Sequence, residues 1–304
     1  MSKKPHIIDE SAGLTTLRDP MIMVVGDTYY LTGTQAPYWE GPNAGVHMWS
    51  TKDMVHFTDL GNVIRREDLP EEFWGRDRFW APELFDGHDG WYYLTFNARN
   101  DSEEYPHFHA VGLARAKHPE GPYEILSKEK SVSEEFGSGN DANLFRDEDG
   151  TLYIAFNANR TMYIHKLDPE NASISDPVRV CGIGAEGEWD AIGVEGACIV
   201  KRHDIYFYWY SSWTYGYNSG LLTATSMQGP WTKHPDNPFL NANDVWHLCG
   251  HNHTFTGLDG KDYIIFHANL REPDGDDVER IFIRRVEYLP DGSAKILEDK
   301  GFGE

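Results

Sequence analysis

The chain has 304 residues, 40% of them hydrophobic and 13% aromatic, enough apolar material for a large core and too much for a disordered chain. A formal net charge of −22, from 27 Lys and Arg against 49 Asp and Glu, excludes nucleic acid and anionic membrane as partners, since both demand clustered cations. Cys181, Cys198 and Cys249 have no paired spacing, which argues against a disulfide framework and a zinc site. Residues Met1 to Ser11 lack an apolar leader core, and no apolar run is long enough to span a bilayer, so a cytoplasmic chain is expected, or an exported one whose leader has been removed.

Taken in order, the predicted elements repeat five times. The segments are RDPMIMVVGDTYYLTGT from Arg18, WAPELFDGHDGWYYLTFNA from Trp80, NDANLFRDEDGTLYIAFNA from Asn140, VEGACIVKRHDIYFYWYSS from Val194, and GHNHTFTGLDGKDYIIFHA from Gly250. Each reads as a short apolar strand, a turn, and an aromatic-rich strand. The turns hold Gly26-Asp27, Asp89-Gly90, Asp149-Gly150, His203-Asp204 and Asp259-Gly260, residue types that accept the positive φ of tight hairpins. A second strand pair follows each hairpin, as in VHMWSTKDMVHFTDLG from Val46 and IFIRRVEYLPDGSAKIL from Ile281. Four strands per unit, no long helical periodicity and no linker predict one all-β domain over 1–304. The expected fold is a five-bladed β-propeller, each blade a four-stranded antiparallel sheet, with blades near 17–62, 79–128, 139–180, 193–236 and 249–298.

In a propeller, residues at one offset before each turn face one another across the channel. That offset holds Asp19, Ala81, Asp141, Glu195 and His251, and in the second blade Glu83, two residues beyond Ala81, is expected on the same face. One acidic residue before a strand is ordinarily a cap. A ring of them is costly to charge, and folding alone does not select it. Two carboxyl groups with divided roles are the minimum apparatus for glycoside hydrolysis, and a third can hold the acid's pKa high; Asp19, Glu195 and Asp141 fill those places.

The Asp-Pro of the first repeat, Trp-Ala-Pro-Glu of the second, Asp141 of the third, Glu-Gly of the fourth and Gly-His of the fifth resemble glycoside hydrolase family 43 over about Leu17 to Ile296. The resemblance implies an inverting enzyme with Asp19 as general base, Glu195 as general acid, and Asp141 orienting Glu195 and raising its pKa. An inverting pair is expected roughly 6.5 to 9.5 Å apart. It further implies substrate contacts from Trp80, Glu83, His251 and Arg285, with Arg284 competing for the last place and one of the two facing the channel. No cofactor is required, although a structural calcium in the central channel, reached by His251 through water, belongs to the same expectation. His253 shares the spacing for a pair with His251, but imidazole suits a hard cation poorly. Ala197 stands where the family usually has proline.

The expected substrate is an oligosaccharide of plant or algal origin, cut by exo action to release α-L-arabinofuranose. β-D-xylose and a galactose-type sugar are the near alternatives. Loops 35–45 and 97–109 are expected to wall the pocket, with His107 and His109 as rim residues rather than zinc ligands. A non-catalytic carbohydrate-binding propeller is the reading of another class, disfavoured by the complete carboxylate set. A phosphorolytic enzyme would need several Arg or Lys in the pocket.

Overall fold

The computed structural model describes residues 7–105, 109–175, 177–271 and 278–304. Its sheets follow the sequence repeat. The first blade is β1 (Arg18–Val25), β2 (Thr28–Thr34), β3 (Gly45–Thr51) and β4 (Phe57–Arg65). The second is β5 (Arg78–Asp86), β6 (Tyr92–Arg99), β7 (Ala110–Ala116) and β8 (Glu124–Ile125). The third has β9 (Asn140–Arg146), β10 (Leu152–Ala158) and β11 (Thr161–Asp168), and its outer position is shared by β12 (Ser173–Ile174) and β13 (Val178–Gly182), both paired to β11. The fourth is β14 (Glu195–Arg202), β15 (Ile205–Ser212), β16 (Asn218–Ala224) and β17 (Thr232–Lys233). The fifth is β18 (Trp246–Thr256), β19 (Asp262–Leu270), β20 (Val278–Tyr288) and β21 (Ala294–Leu297).

Strands within a blade run antiparallel in chain order, and β1, β5, β9, β14 and β18 touch one another in a closed ring around the axis. The chain is thus a five-bladed propeller, as the repeat predicts. The turns Gly26-Asp27 and His203-Asp204 connect their strands directly, with φ of 60° at Gly26 and of 53° and 59° at His203 and Asp204. Asp89-Gly90, Asp149-Gly150 and Asp259-Gly260 sit inside slightly longer loops.

The core lies between blades rather than along the axis. Met48, Phe79 and Phe96 pack between blades one and two; Val111, Leu144 and Phe156 between two and three; Ile164, Tyr208 and Tyr210 between three and four; Trp209, Trp246 and Phe266 between four and five. Leu31, Trp49 and Tyr263 complete the circle between five and one. These residues, mostly aromatic, fit the pleated faces of strands, and burying each contributes about 1.5–3 kcal/mol. With the apolar residues in the wedges, the channel wall is left to polar side chains.

Blades one and five meet without exchanging a strand. The Asp19 N–H donates to His267 Nδ1 at 3.1 Å, the Leu258 N–H to the Tyr29 hydroxyl at 2.9 Å, and the Ile7 N–H to the Ile281 carbonyl at 2.8 Å. Phe302 packs edge-on against Tyr29, which ties the C-terminal residues to the same seam.

Candidate active site

Each innermost strand is irregular in register near its start, β18 at two places, and there the backbone turns left-handed. The residues concerned are Asp19, Ala81, Asp141, Gly196 and His251, with φ between 42° and 68°. Four of the five are not glycine. Such strain outside glycine is uncommon, and here it stands at the same register in four of the five blades, marking the channel mouth. The irregularity aims the left-handed residue at the axis and the residue before it up into a pocket.

This geometry corrects one expectation. Glu195 is not level with Asp19, Asp141 and His251; its blade places Gly196 there. By strand register Glu195 matches Arg18, Trp80, Asn140 and Gly250, since these pair with Ser211, Thr34, Asn97, Asn157 and His267 respectively. Two tiers result, with Asp19, Asp141 and His251 below and Arg18, Trp80, Asn140 and Glu195 above. All seven line one pocket of about 810 Å³.

In the lower tier, His251 Nδ1 lies 3.3 Å from Asp19 Oδ1 and 3.4 Å from Asp141 Oδ2, joining the two carboxylates. Asp19 Oδ2 accepts the Thr34 hydroxyl at 2.5 Å. Burial alone would raise the Asp19 carboxyl, but His251, Arg18 and the Thr34 hydroxyl hold it below the ordinary Asp value. His267 is pushed down to about 3 by burial and accepts the Asp19 N–H, so its ring is neutral and the permanent cation beside Asp19 is Arg18. Asp141 accepts the Asn97 amide at 2.7 Å and the Gly196 N–H at 3.0 Å, yet burial and the Asp19 charge push it up to about 7.

In the upper tier, Glu195 Oε1 accepts the Tyr217 hydroxyl at 2.6 Å and Oε2 lies 3.3 Å from the Asn140 amide nitrogen. Burial and then the Asp141 charge push Glu195 up to about 8, against the Tyr217 hydrogen bond. Tyr217 stacks on His267 with centroids 5.2 Å apart and occupies the space of a missing side chain: a Cβ at Gly250 would stand 2.7 Å from its ring.

Trp80 is buried in the pocket wall. Its indole N–H donates to the Tyr38 carbonyl at 2.7 Å, and its ring stacks on Trp39 at 5.7 Å and meets His109 edge-on at 5.3 Å. Trp39 and Trp213 stand half-exposed at the rim. The loop after β2 therefore walls the pocket as expected, and His109 is a rim residue; His107 lies outside the described residues.

Two expected contacts are not made. Glu83 lies deeper in the channel, where Oε2 accepts the Asn143 amide at 2.7 Å, and it does not line the pocket. The irregularity between Trp80 and Glu83 breaks the simple alternation that put Glu83 on the face of Ala81. Arg285 lies on β20, the third strand out, paired with Glu287 at 3.1 Å, while Arg284 is buried over Trp246. Neither reaches the pocket. The arginine that does is Arg18, next to Asp19, with Nε 3.4 Å from Glu279 Oε2. Tyr217 and Glu279 enter from positions the repeat does not mark, whereas Arg18 stands at the register position of Trp80, Asn140 and Glu195 and its charge beside Asp19 was the signal.

For a metal, the described residues offer no group of three or more His, Cys, Asp or Glu side chains that could hold one. His251 Nε2 and His253 Nδ1 are buried without hydrogen-bond partners. Two imidazole nitrogens do not make the oxygen cage that calcium requires.

An ionised carboxylate and a protonated one sharing a sugar-sized pocket can move a proton in each direction during one bond cleavage. The family model for glycosyl hydrolases family 43 matches residues 14–294. The chain belongs to that family. Among curated relatives, a β-D-galactofuranosidase of Aspergillus niger is 30% identical over 72% of this chain and 64% of its own length. A xylosidase/arabinosidase of Butyrivibrio fibrisolvens is 25% identical over 83% and 49%. An extracellular exo-α-(1→5)-L-arabinofuranosidase of Cellvibrio japonicus is 24% identical over 83% and 78%. The chain thus spans about half to two-thirds of the length of the first two. A thermostable family-43 glycoside hydrolase superposes with a TM-score of 0.76, at 26% identity and 94% coverage of both chains.

Proposed function

We propose that this family 43 member is an inverting exo-glycosidase that removes a terminal α-L-arabinofuranose from an oligosaccharide. The observation that carries the reading is the opposed protonation of two carboxyls in one pocket: Asp19 held ionised, Glu195 held protonated up to about pH 8. Environments that push two carboxyls apart assign base and acid.

In the proposed reaction, Asp19 accepts a proton from a water as its oxygen bonds to the anomeric carbon. The glycosidic carbon–oxygen bond breaks, and the leaving oxygen takes the proton of Glu195. With Oε1 engaged by the Tyr217 hydroxyl, the transferable proton belongs on Oε2. Asp141 acts through Glu195: its charge keeps the acid protonated, and its bond to the Gly196 N–H fixes the backbone beside it. Trp80 offers an apolar wall to a sugar ring.

A furanose is favoured because two relatives, a β-D-galactofuranosidase and an α-L-arabinofuranosidase, both act on furanosides. β-D-Xylose remains the second reading, on the xylosidase/arabinosidase. Phosphorolysis is disfavoured: the pocket's one Arg among the described lining residues, Arg18, is already opposed by Asp19 and Glu279.

The test is hydrolysis of aryl α-L-arabinofuranoside, β-D-galactofuranoside, β-D-xyloside and β-D-galactoside by wild type and Glu195→Gln. Turnover of the arabinofuranoside that collapses in the variant supports the reading. Binding of sugars without turnover of any would instead favour a carbohydrate-binding propeller.

A further inference from the structure

In four of the five blades the second strand sends a side chain to cap the backbone of the next blade. Thr34 Oγ accepts the Ala81 N–H at 2.7 Å, Asn97 Oδ1 the Asp141 N–H at 2.8 Å, Ser211 Oγ the His251 N–H at 2.8 Å, and His267 Nδ1 the Asp19 N–H at 3.1 Å. Each bond caps the left-handed residue of the following blade, whose backbone N–H would otherwise be buried without a partner.

The fifth member of the set is Asn157, paired across its sheet with Asn140. By the pattern it should cap Gly196. It does not, because Asp141 Oδ2 takes the Gly196 N–H at 3.0 Å. The Asn157 side chain makes no hydrogen bond among the described residues, and its amide oxygen is buried without a partner, although the residue lines the pocket. Leaving a buried polar atom unsatisfied costs about 1–3 kcal/mol, so folding does not account for an asparagine here. Its cross-strand neighbour Asn140 is the residue whose amide approaches Glu195.

We propose that Asn157 is a substrate-binding residue, whose carboxamide, released from the inter-blade ring by Asp141, hydrogen-bonds a hydroxyl of the sugar that Glu195 acts on. The inference rests on the hydrolase reading above and adds a residue that selects for that hydroxyl. A structural amide would be held by the protein itself; this one gains its partner when the pocket fills.

The experiment compares Asn157→Ala with Ser211→Ala, which removes a member of the ring that is engaged. Both are assayed for kcat/KM on the arabinofuranoside and its monodeoxy analogues, and for Tm. For Asn157→Ala we expect an unchanged Tm and a loss of about ten-fold or more in kcat/KM on the parent glycoside, as for one lost hydrogen bond. The loss should vanish on the one deoxy analogue that lacks the partner hydroxyl. Ser211→Ala should lower Tm. An active wild type whose kcat/KM is unmoved in Asn157→Ala, or an Asn157→Ala variant that loses Tm as Ser211→Ala does with no substrate dependence, overturns the inference alone. A wild type inert towards every glycoside sinks the hydrolase reading, and this inference with it.

Discussion

Asp141 accepts the N–H of Gly196 at 3.0 Å, so a third-blade carboxylate holds the backbone of the fourth-blade residue that follows Glu195. Contact and charge act together, because the same carboxylate raises the Glu195 pKa. Two variants separate these influences. In Asp141→Asn the charge is gone and Glu195 should release its proton at lower pH, moving the basic limb of the pH–rate profile down from about 8. In Tyr217→Phe the bond that favours the Glu195 carboxylate is lost, and the basic limb should move up. Profiles of kcat/KM against pH read both shifts, and movement in the same direction would refute the assignment.

Gly250 makes room for Tyr217. In Gly250→Ala the new methyl would lie 2.7 Å from the Tyr217 ring, so the ring must move and its hydroxyl must leave Glu195. The variant should resemble Tyr217→Phe in its pH profile, with a drop in kcat of about ten-fold or more. A profile identical to wild type would show that Tyr217 does not depend on Gly250.

Glu83 is pushed up to about 8 by burial, and it touches Asn143 rather than the pocket. The unfolded chain releases this proton near the ordinary Glu value of 4.5, whereas the folded chain keeps it until about 8. The stabilising contribution is therefore complete below pH about 4.5 and is lost as pH rises towards 8, at about 1.4 kcal/mol per unit. Glu83→Gln should remove this slope. Urea unfolding at pH 5 and pH 8 is expected to show the variant gaining on wild type at the higher pH, with activity retained at pH 6.

Arg18 and Arg285 give a paired contrast. Arg285→Ala removes an ion pair on the third strand and should leave kcat/KM within a factor of two, as for an exposed pair. Arg18→Ala removes the cation beside Asp19, so the carboxyl should titrate higher and the acidic limb of the profile should move up. Equal losses in both variants would contradict the placement of Arg285 outside the site.

Much of this was readable from letters. Aromatic strands after turn residues marked the five blades, and a shared offset brought Asp19, Asp141 and His251 to one tier. The errors come from the third dimension. Counting back from the turns puts Glu195 level with Asp19, but the hairpin loops differ in length and the backbone aligns Gly196 with Asp19; the glycine after Glu195 is the available signal. Arg285 is expected in the channel, whereas on β20 it is Glu279, at the start of the strand, that reaches the pocket. Tyr217 fills a void left by Gly250, and voids leave no mark in a single sequence. Asn157 stands out only once its four counterparts are seen to be engaged.

The division of labour between Asp19 and Glu195 is tested most directly by varying the leaving group. The rates to compare are those of wild type, Glu195→Ala and Asp19→Asn on a 2,4-dinitrophenyl arabinofuranoside, whose departing oxygen needs no proton, and on an arabino-oligosaccharide, whose oxygen does. If Glu195 is the acid, Glu195→Ala should keep most of its activity on the dinitrophenyl substrate and lose about 100-fold or more on the oligosaccharide, while Asp19→Asn loses both. Equal loss by Glu195→Ala on the two substrates would contradict the account.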